Sequence, residues 1–287
     1  MSKYNDAEYR SLIEMIFHDS YYADVYFDTK IEKIRQYTEI IIRRLLRYDP
    51  DKLLTLGHEN TIRQLDNKGF IEPFFRNSLD KINSYGSDRT HTQVRVLANK
   101  IEYDEVLDSL FNLYGYLFYK FFEKYKFGNN LDIVSQFSLL PPIIRHITLE
   151  QLFTLNRNNT IVIEKFVLVK IKAFDYENAD NWLESNSEFL KSIQPNGFDE
   201  LKRKLEERLG QQAAKYVISS NGDNMYAILK NKIKPMKGTI IYPQYKDFES
   251  ALFHYHEKGI LPGNSKEIKE FNSLMDFVYM GRAERIL

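Results

Sequence analysis

The sequence predicts an all-α protein, on three observations. Apolar residues recur at three- and four-residue intervals through most of the chain, the spacing of one buried helical face. Clusters of glycine, proline and asparagine separate the patterned stretches. Hydrophobic residues make up 43% of the 287 positions, enough for a packed core in one large or two modest domains. The change of character at Lys126-Phe127-Gly128-Asn129-Asn130 predicts a boundary, giving domains over 1–128 and 129–287.

In the first half, Leu12, Ile13, Ile16, Phe17, Tyr21 and Val25 predict a helix over 6–27. Asp28-Thr29, with Glu32 behind it, predicts the N-cap of a second helix. That helix runs to Leu46 on an inner stripe of Ile31, Ile34, Thr38, Ile41 and Leu45, and Asp49-Pro50 stops it. Another of its faces carries Arg35, Glu39, Arg43 and Arg47. Thr55-Leu56-Gly57 turns the chain into a short helix with Ile62 and Leu65 inside, capped by Gly69. Pro73 opens the next helix, which carries Phe74, Phe75, Leu79 and Ile82 and is expected to break at Tyr85-Gly86. Tyr103-Asp104 opens a long aromatic helix to Tyr125, whose apolar face is broad enough to be covered on two sides. A homo-oligomer through residues 104–125 is therefore expected.

Taken in order, these landmarks are a long helix, Thr55-Leu56-Gly57, Leu65-x-x-Lys68-Gly69-Phe70-Ile71, Ile82-x-x-Tyr85-Gly86-Ser87-Asp88-Arg89-Thr90-His91 and a long apolar helix. Over residues 10–125 this order resembles the HEPN superfamily, most closely the HEPN-like domain that accompanies restriction and abortive-infection genes. The resemblance implies an N-terminal helical bundle that often pairs with itself. It also implies an RNA-targeting protein of a prokaryotic antiviral defence or toxin system. In active members an arginine and a following histidine cleave RNA without a metal. The histidine carries over onto His91 and the polar position of the motif onto Ser87. The slots of the family's arginine hold Gly86, Tyr85 and Ser84, none of them a cation.

Metal-free RNA cleavage needs a base, an acid and a cation for the developing phosphorane charge. His91 is expected as base or acid, since an imidazole titrates near neutrality. Arg89 supplies the cation if the turn folds both side chains to one side; Arg76, Arg95, Arg43 and Arg44 are alternatives from neighbouring helices. Arg43, Arg44 and Arg47, with Arg35 and Ser87, are candidates to line an RNA groove. The competing account is a solvated basic face and a non-catalytic helical module that binds a partner protein of the defence system as a sensor or scaffold.

In the second half, helices are expected over 131–156 with an interruption at Pro141-Pro142, over 160–173 with a strand as the alternative, and from Asp175 through Leu190. Phe198, Leu201, Leu205 and Leu209 predict one amphipathic helix over 198–218 with the leucines inside. A short helix over Met225–Ile233, an extended stretch over 238–243 and helices over 246–257 and 265–279 complete the chain. His254-x-His256-Glu257 falls in a helix, where residues two apart do not share a face, so no metal site is expected. No phosphate-cradling glycine loop occurs, and no cofactor is expected. Forty basic and 40 acidic residues argue against capture of nucleic acid by bulk charge. The absence of cysteine, of a leader-like N-terminus and of any membrane-length apolar run leads to an expectation of a cytoplasmic protein.

Overall fold

The structure, a computed structural model, describes residues 7–49, 52–87, 97–238 and 247–282. Among them are 15 α-helices and one 3-10 turn, and no strand, so the protein is all-α. By packing it divides into two compact units. Residues up to Phe118 together with those from His256 onward form unit 1, and Tyr119–Tyr255 form unit 2. The boundary read from composition groups 256–287 with the second half, whereas packing joins that segment to the first.

Unit 1 is built on α1 (Ala7–Tyr21), α2 (Phe27–Leu46), α3 (Glu59–Asn67), α4 (Pro73–Ser87), the first part of α5 (Lys100–Tyr125) and α15 (Lys266–Tyr279). Helix α2 packs against both α1 and α4. Of its predicted stripe, Ile31, Ile34, Thr38 and Ile41 are at 0% exposure, while Leu45, in the last turn, is only half-buried. The start differs. Tyr26 is the N-cap of α2, and the Asp28 carboxylate instead accepts the backbone N–H of Ala98 at 2.8 Å. Arg47 ends the helix in the left-handed region at φ 56.

Gly69 closes α3 as predicted. At φ +75 it lets Phe70 donate to the Leu65 carbonyl and Gly69 itself to that of Asp66, each at 2.9 Å. Helix α5 begins earlier than expected because Asn99 and Glu102 form a reciprocal cap at 3.0 and 3.1 Å. Its aromatic rings are buried within the chain. In unit 1, Tyr114 meets Tyr37 edge-on at 6.2 Å, Tyr116 stacks on Phe75 at 4.0 Å, and Phe118 lies against Phe271 at 6.1 Å. The rings expected to seal a second copy thus have partners in their own chain.

Unit 2 contains α6 (Leu131–Phe137), α7 (Pro142–Leu155), α8 (Thr160–Ala173), α9 (Tyr176–Ser185), α10 (Ser187–Lys191), α11 (Phe198–Leu209), α12 (Gln211–Asn221), α13 (Met225–Ile233) and most of α14 (Phe248–Lys258). Side-chain caps start several of these: Asn130 for α6, Asn159 for α8, Asp175 for α9 and Asn224 for α13. The β-branched stretch 160–173 is helix, fixed by the Asn159 cap and packed between α7 and α9. The single helix expected over 198–218 is two helices, because Gly210 sits at φ 81 between them. Its leucines are not inside: α11 has no buried residue, and Leu201 and Leu209 are 54% and 47% exposed. No helix among the described residues is long and apolar enough to cross a membrane.

Candidate functional site

Two of the sequence landmarks, Thr55-Leu56-Gly57 and Tyr85-Gly86-Ser87, flank the C-terminal part of α4 and the middle of α2. Gly86 is helical and buried, not the point where α4 breaks. A Cβ there would lie 2.8 Å from Cβ of Arg35, so only glycine lets α4 cross α2 this closely. Gly57, in the turn before α3, has φ +76 and faces the Asn83 side chain, where a Cβ would sit 3.0 Å from Cγ. Ser87 donates from its hydroxyl to Asn83 Oδ1 at 3.4 Å.

Near these glycines lies a half-buried ion pair. Arg35 Nη1 is 3.4 Å from Glu39 Oε1, with the two side chains 15% and 21% exposed. Glu39 also accepts the backbone N–H of Leu56 at 3.4 Å, within the Thr55-Leu56-Gly57 turn. Burial raises the Glu39 carboxyl above its ordinary range, while Arg35 and the Leu56 N–H pull the other way. Arg35 Nε is buried and has no hydrogen-bond partner among the described residues. The arrangement lays the aliphatic stem of Arg35 against the last turn of α4, with its Nε unpartnered among the described residues.

The other predicted cations of α2 behave differently. Arg43 Nη1 donates to the carbonyls of Asp49, at 3.3 Å, and Lys52, and so closes the loop after the helix. Arg44 Nη2 donates to both the carbonyl and the hydroxyl of Ser273 at 2.8 Å, and its guanidinium lies 4.8 Å from the Phe277 ring centre. With Ile13, Ile40, Asp276, Phe277 and Met280 these residues line a cleft of about 30 Å³, room for one water. Arg47 is exposed at the helix end. Arg43 and Arg44 each engage one Nη with oxygens of their own unit. Arg76 pairs with Asp66, and Arg95 lies outside the described residues.

Arg89 and His91 also lie outside the described residues. Ser87, the last residue of α4, is half-buried in the cluster described above. His254 and His256 lie on α14, and no group of three or more metal-ligating side chains gathers among the described residues. Arg35 is the residue whose place sequence reasoning missed. The signal was present as a glycine, Gly86, in the last turn of a helix, where a close crossing is the reason to keep one. No family model, curated protein or solved structure matches the chain.

Proposed function

We propose that this is an HEPN-like, RNA-targeting protein of a prokaryotic defence system, with metal-independent RNA cleavage centred on His91. The observation that supports the reading is Arg35. Its aliphatic stem lies against Gly86 while its guanidinium pairs with Glu39, and His91 follows Gly86 by five positions in the chain. Arg35, from α2, stands in on this reading for the cation missing from the family's usual slot. In this reading His91 moves the proton of the 2′-hydroxyl or of the leaving oxygen, and a guanidinium steadies the phosphorane charge. Arg89 contributes a second positive charge. A homodimer in this reading needs a surface other than the aromatic face of α5.

The second reading, a non-catalytic module that binds a partner protein, is supported by Arg43 and Arg44, whose guanidinium groups bond to oxygens within the unit. One experiment separates the two. Total cellular RNA is incubated in chelator with wild type, His91→Ala and Arg35→Lys. Cleavage by wild type, lost in His91→Ala and reduced in Arg35→Lys, supports the nuclease. No cleavage by a folded wild-type protein overturns it in favour of partner binding.

A further inference from the structure

The chain has two Asn-Gly pairs, both in unit 2, and the fold treats them in opposite ways. Asn221-Gly222 ends α12. There the Gly222 N–H donates to the Ile218 carbonyl at 2.8 Å, and the Asn221 carboxamide donates to the Val217 carbonyl at 2.9 Å. Gly222 is buried, and a Cβ on it would lie 2.7 Å from the backbone nitrogen of Ile228 on α13. Asn196-Gly197 lies instead in the turn that leads into α11. The Phe198 N–H donates across it to the Pro195 carbonyl at 3.2 Å, with Gly197 at φ +72. Both residues are exposed, and a Cβ on Gly197 would meet nothing within 4 Å. Among the described residues, neither the Asn196 carboxamide nor the Gly197 N–H has a hydrogen-bond partner.

We propose that Asn196 is a self-modification site that converts to aspartate and isoaspartate through a cyclic imide, while the end of α12 holds Asn221 in its amide form. Asparagine is a chemically labile side chain, and a following glycine has no side chain to shield the attacking nitrogen. Hydroxide first takes the proton of the Gly197 N–H. The nitrogen then attacks Cγ of Asn196, a carbon–nitrogen bond forms, and the carboxamide nitrogen leaves as ammonia with a proton from water. Water opens the ring. Attack at Cγ restores the ordinary backbone with an aspartate side chain. Attack at the main-chain carbonyl leaves isoaspartate, in which the chain runs through Cγ. At Asn221 the same route would first break the bonds to Ile218 and Val217 and pull Gly222 off α13. Either product at 196 puts a negative charge ahead of the first turn of α11, which already holds Asp199 and Glu200. Isoaspartate also adds a methylene to the turn that Phe198 closes. Helix α11 has no buried residue, so unit 2 keeps its core through the change.

The test holds the full chain at neutral and at mildly alkaline pH and follows both sites by peptide mass mapping, with isoaspartyl methyltransferase labelling to tell isoaspartate from aspartate. In the folded chain Asn196 is expected to convert several-fold faster than Asn221, the more so as pH rises. In denaturant, where α12 no longer protects Asn221, the two rates should approach each other. Conversion of Asn221 as fast as Asn196 in the folded chain overturns the proposal. A ratio unchanged in denaturant overturns it as well, because the sequence neighbours and not the fold would then set the difference. A folded Gly197→Ala variant should convert several-fold more slowly at Asn196, and an unchanged rate would overturn the role given to the Gly197 nitrogen.

Discussion

Helix α2 of unit 1 and the α7–α8 pair of unit 2 each bury positive charge, and they do it by opposite means. On α2 each half-buried guanidinium has oxygen partners: Glu39 for Arg35, two loop carbonyls for Arg43 and Ser273 for Arg44. These bonds are directional, and those of Arg43 and Arg44 tie α2 to the carbonyls of Asp49 and Lys52 and to Ser273 on α15. Between α7 and α8 the charge meets rings instead. Lys170 lies over Phe166 at 5.0 Å and over Phe174 at 5.7 Å. Ring contacts constrain position weakly and replace hydration poorly. A guanidinium tolerates either setting because it stays charged, whereas a lysine and a histidine pressed together respond by losing protons. Unit 1 therefore uses cations to set geometry, while unit 2 places two titratable nitrogens where their chemistry changes.

The sharpest break in this comparison is pH. His146 is 7% exposed and its protonation is lowered from 6.5 to about 4. Below 6.5 the unfolded chain takes up a proton that the folded chain refuses until about 4, so acidification through that window favours unfolding. The loss is roughly 3 kcal/mol at most, since each tenfold drop in proton affinity corresponds to about 1.4 kcal/mol. Glu39 has the opposite sign. Its carboxyl is raised, so its contribution is fullest at low pH and declines as pH rises through the raised value. Denaturant midpoints of wild type and His146→Phe, measured as pH falls, should therefore converge or cross in favour of the variant. Parallel curves would mean that His146 is hydrated and that the α7–α8 interior is not as dry as the rings suggest.

Next in size is the crossing of α2 and α4. In an open helix Gly→Ala gains about 1 kcal/mol. At Gly86 the new methyl would meet Arg35 at its Cβ, which cannot swing away as the end of the side chain can. Overpacking of this kind costs about 1–3 kcal/mol, so Gly86→Ala should lower the denaturation midpoint and weaken the Arg35–Glu39 pair. A stabilised variant would show that the crossing is loose and would remove the geometric basis for assigning Arg35 to the candidate site.

These two positions also mark where sequence reasoning reaches and where it stops. Local signals were legible: Gly69 as a helix-ending glycine, Pro73 at a helix start, the break at Pro141-Pro142, and most of the stripe of α2. Each depends on neighbours within one turn. The failures depend on distant residues. Asp28 has the chemistry of a cap, yet its carboxylate accepts from Ala98, 70 positions away. Gly86 has the look of a breaker, and only the approach of Arg35 makes it a helix residue. Helix α15 rejoins the first half through Arg44 and Ser273, a link 229 positions long that no periodicity encodes. For the candidate site, the turn motif and Gly86 were legible as landmarks, but their convergence on Arg35 and Glu39 needed the packing of three elements.

The smallest expected effect tests the remaining contrast, between the packed α7–α8 pair and the α11–α12 hairpin of the same unit. The leucines of α11 repeat at core spacing, and a pattern of that kind ordinarily means burial. Here Leu201 is 54% exposed while Leu229 on α13 is at 0%. Leu229→Ala removes a filled volume and should cost about 2–5 kcal/mol. Leu201→Ala removes only a side chain already in water, and should stay within about 0.5 kcal/mol of wild type. The pair of midpoints, measured on the isolated chain, reads the burial of α11 directly. A Leu201 variant as damaged as the Leu229 variant would mean that α11 is covered in solution, and the helical period would then have been the better guide to its surroundings than its place in the fold.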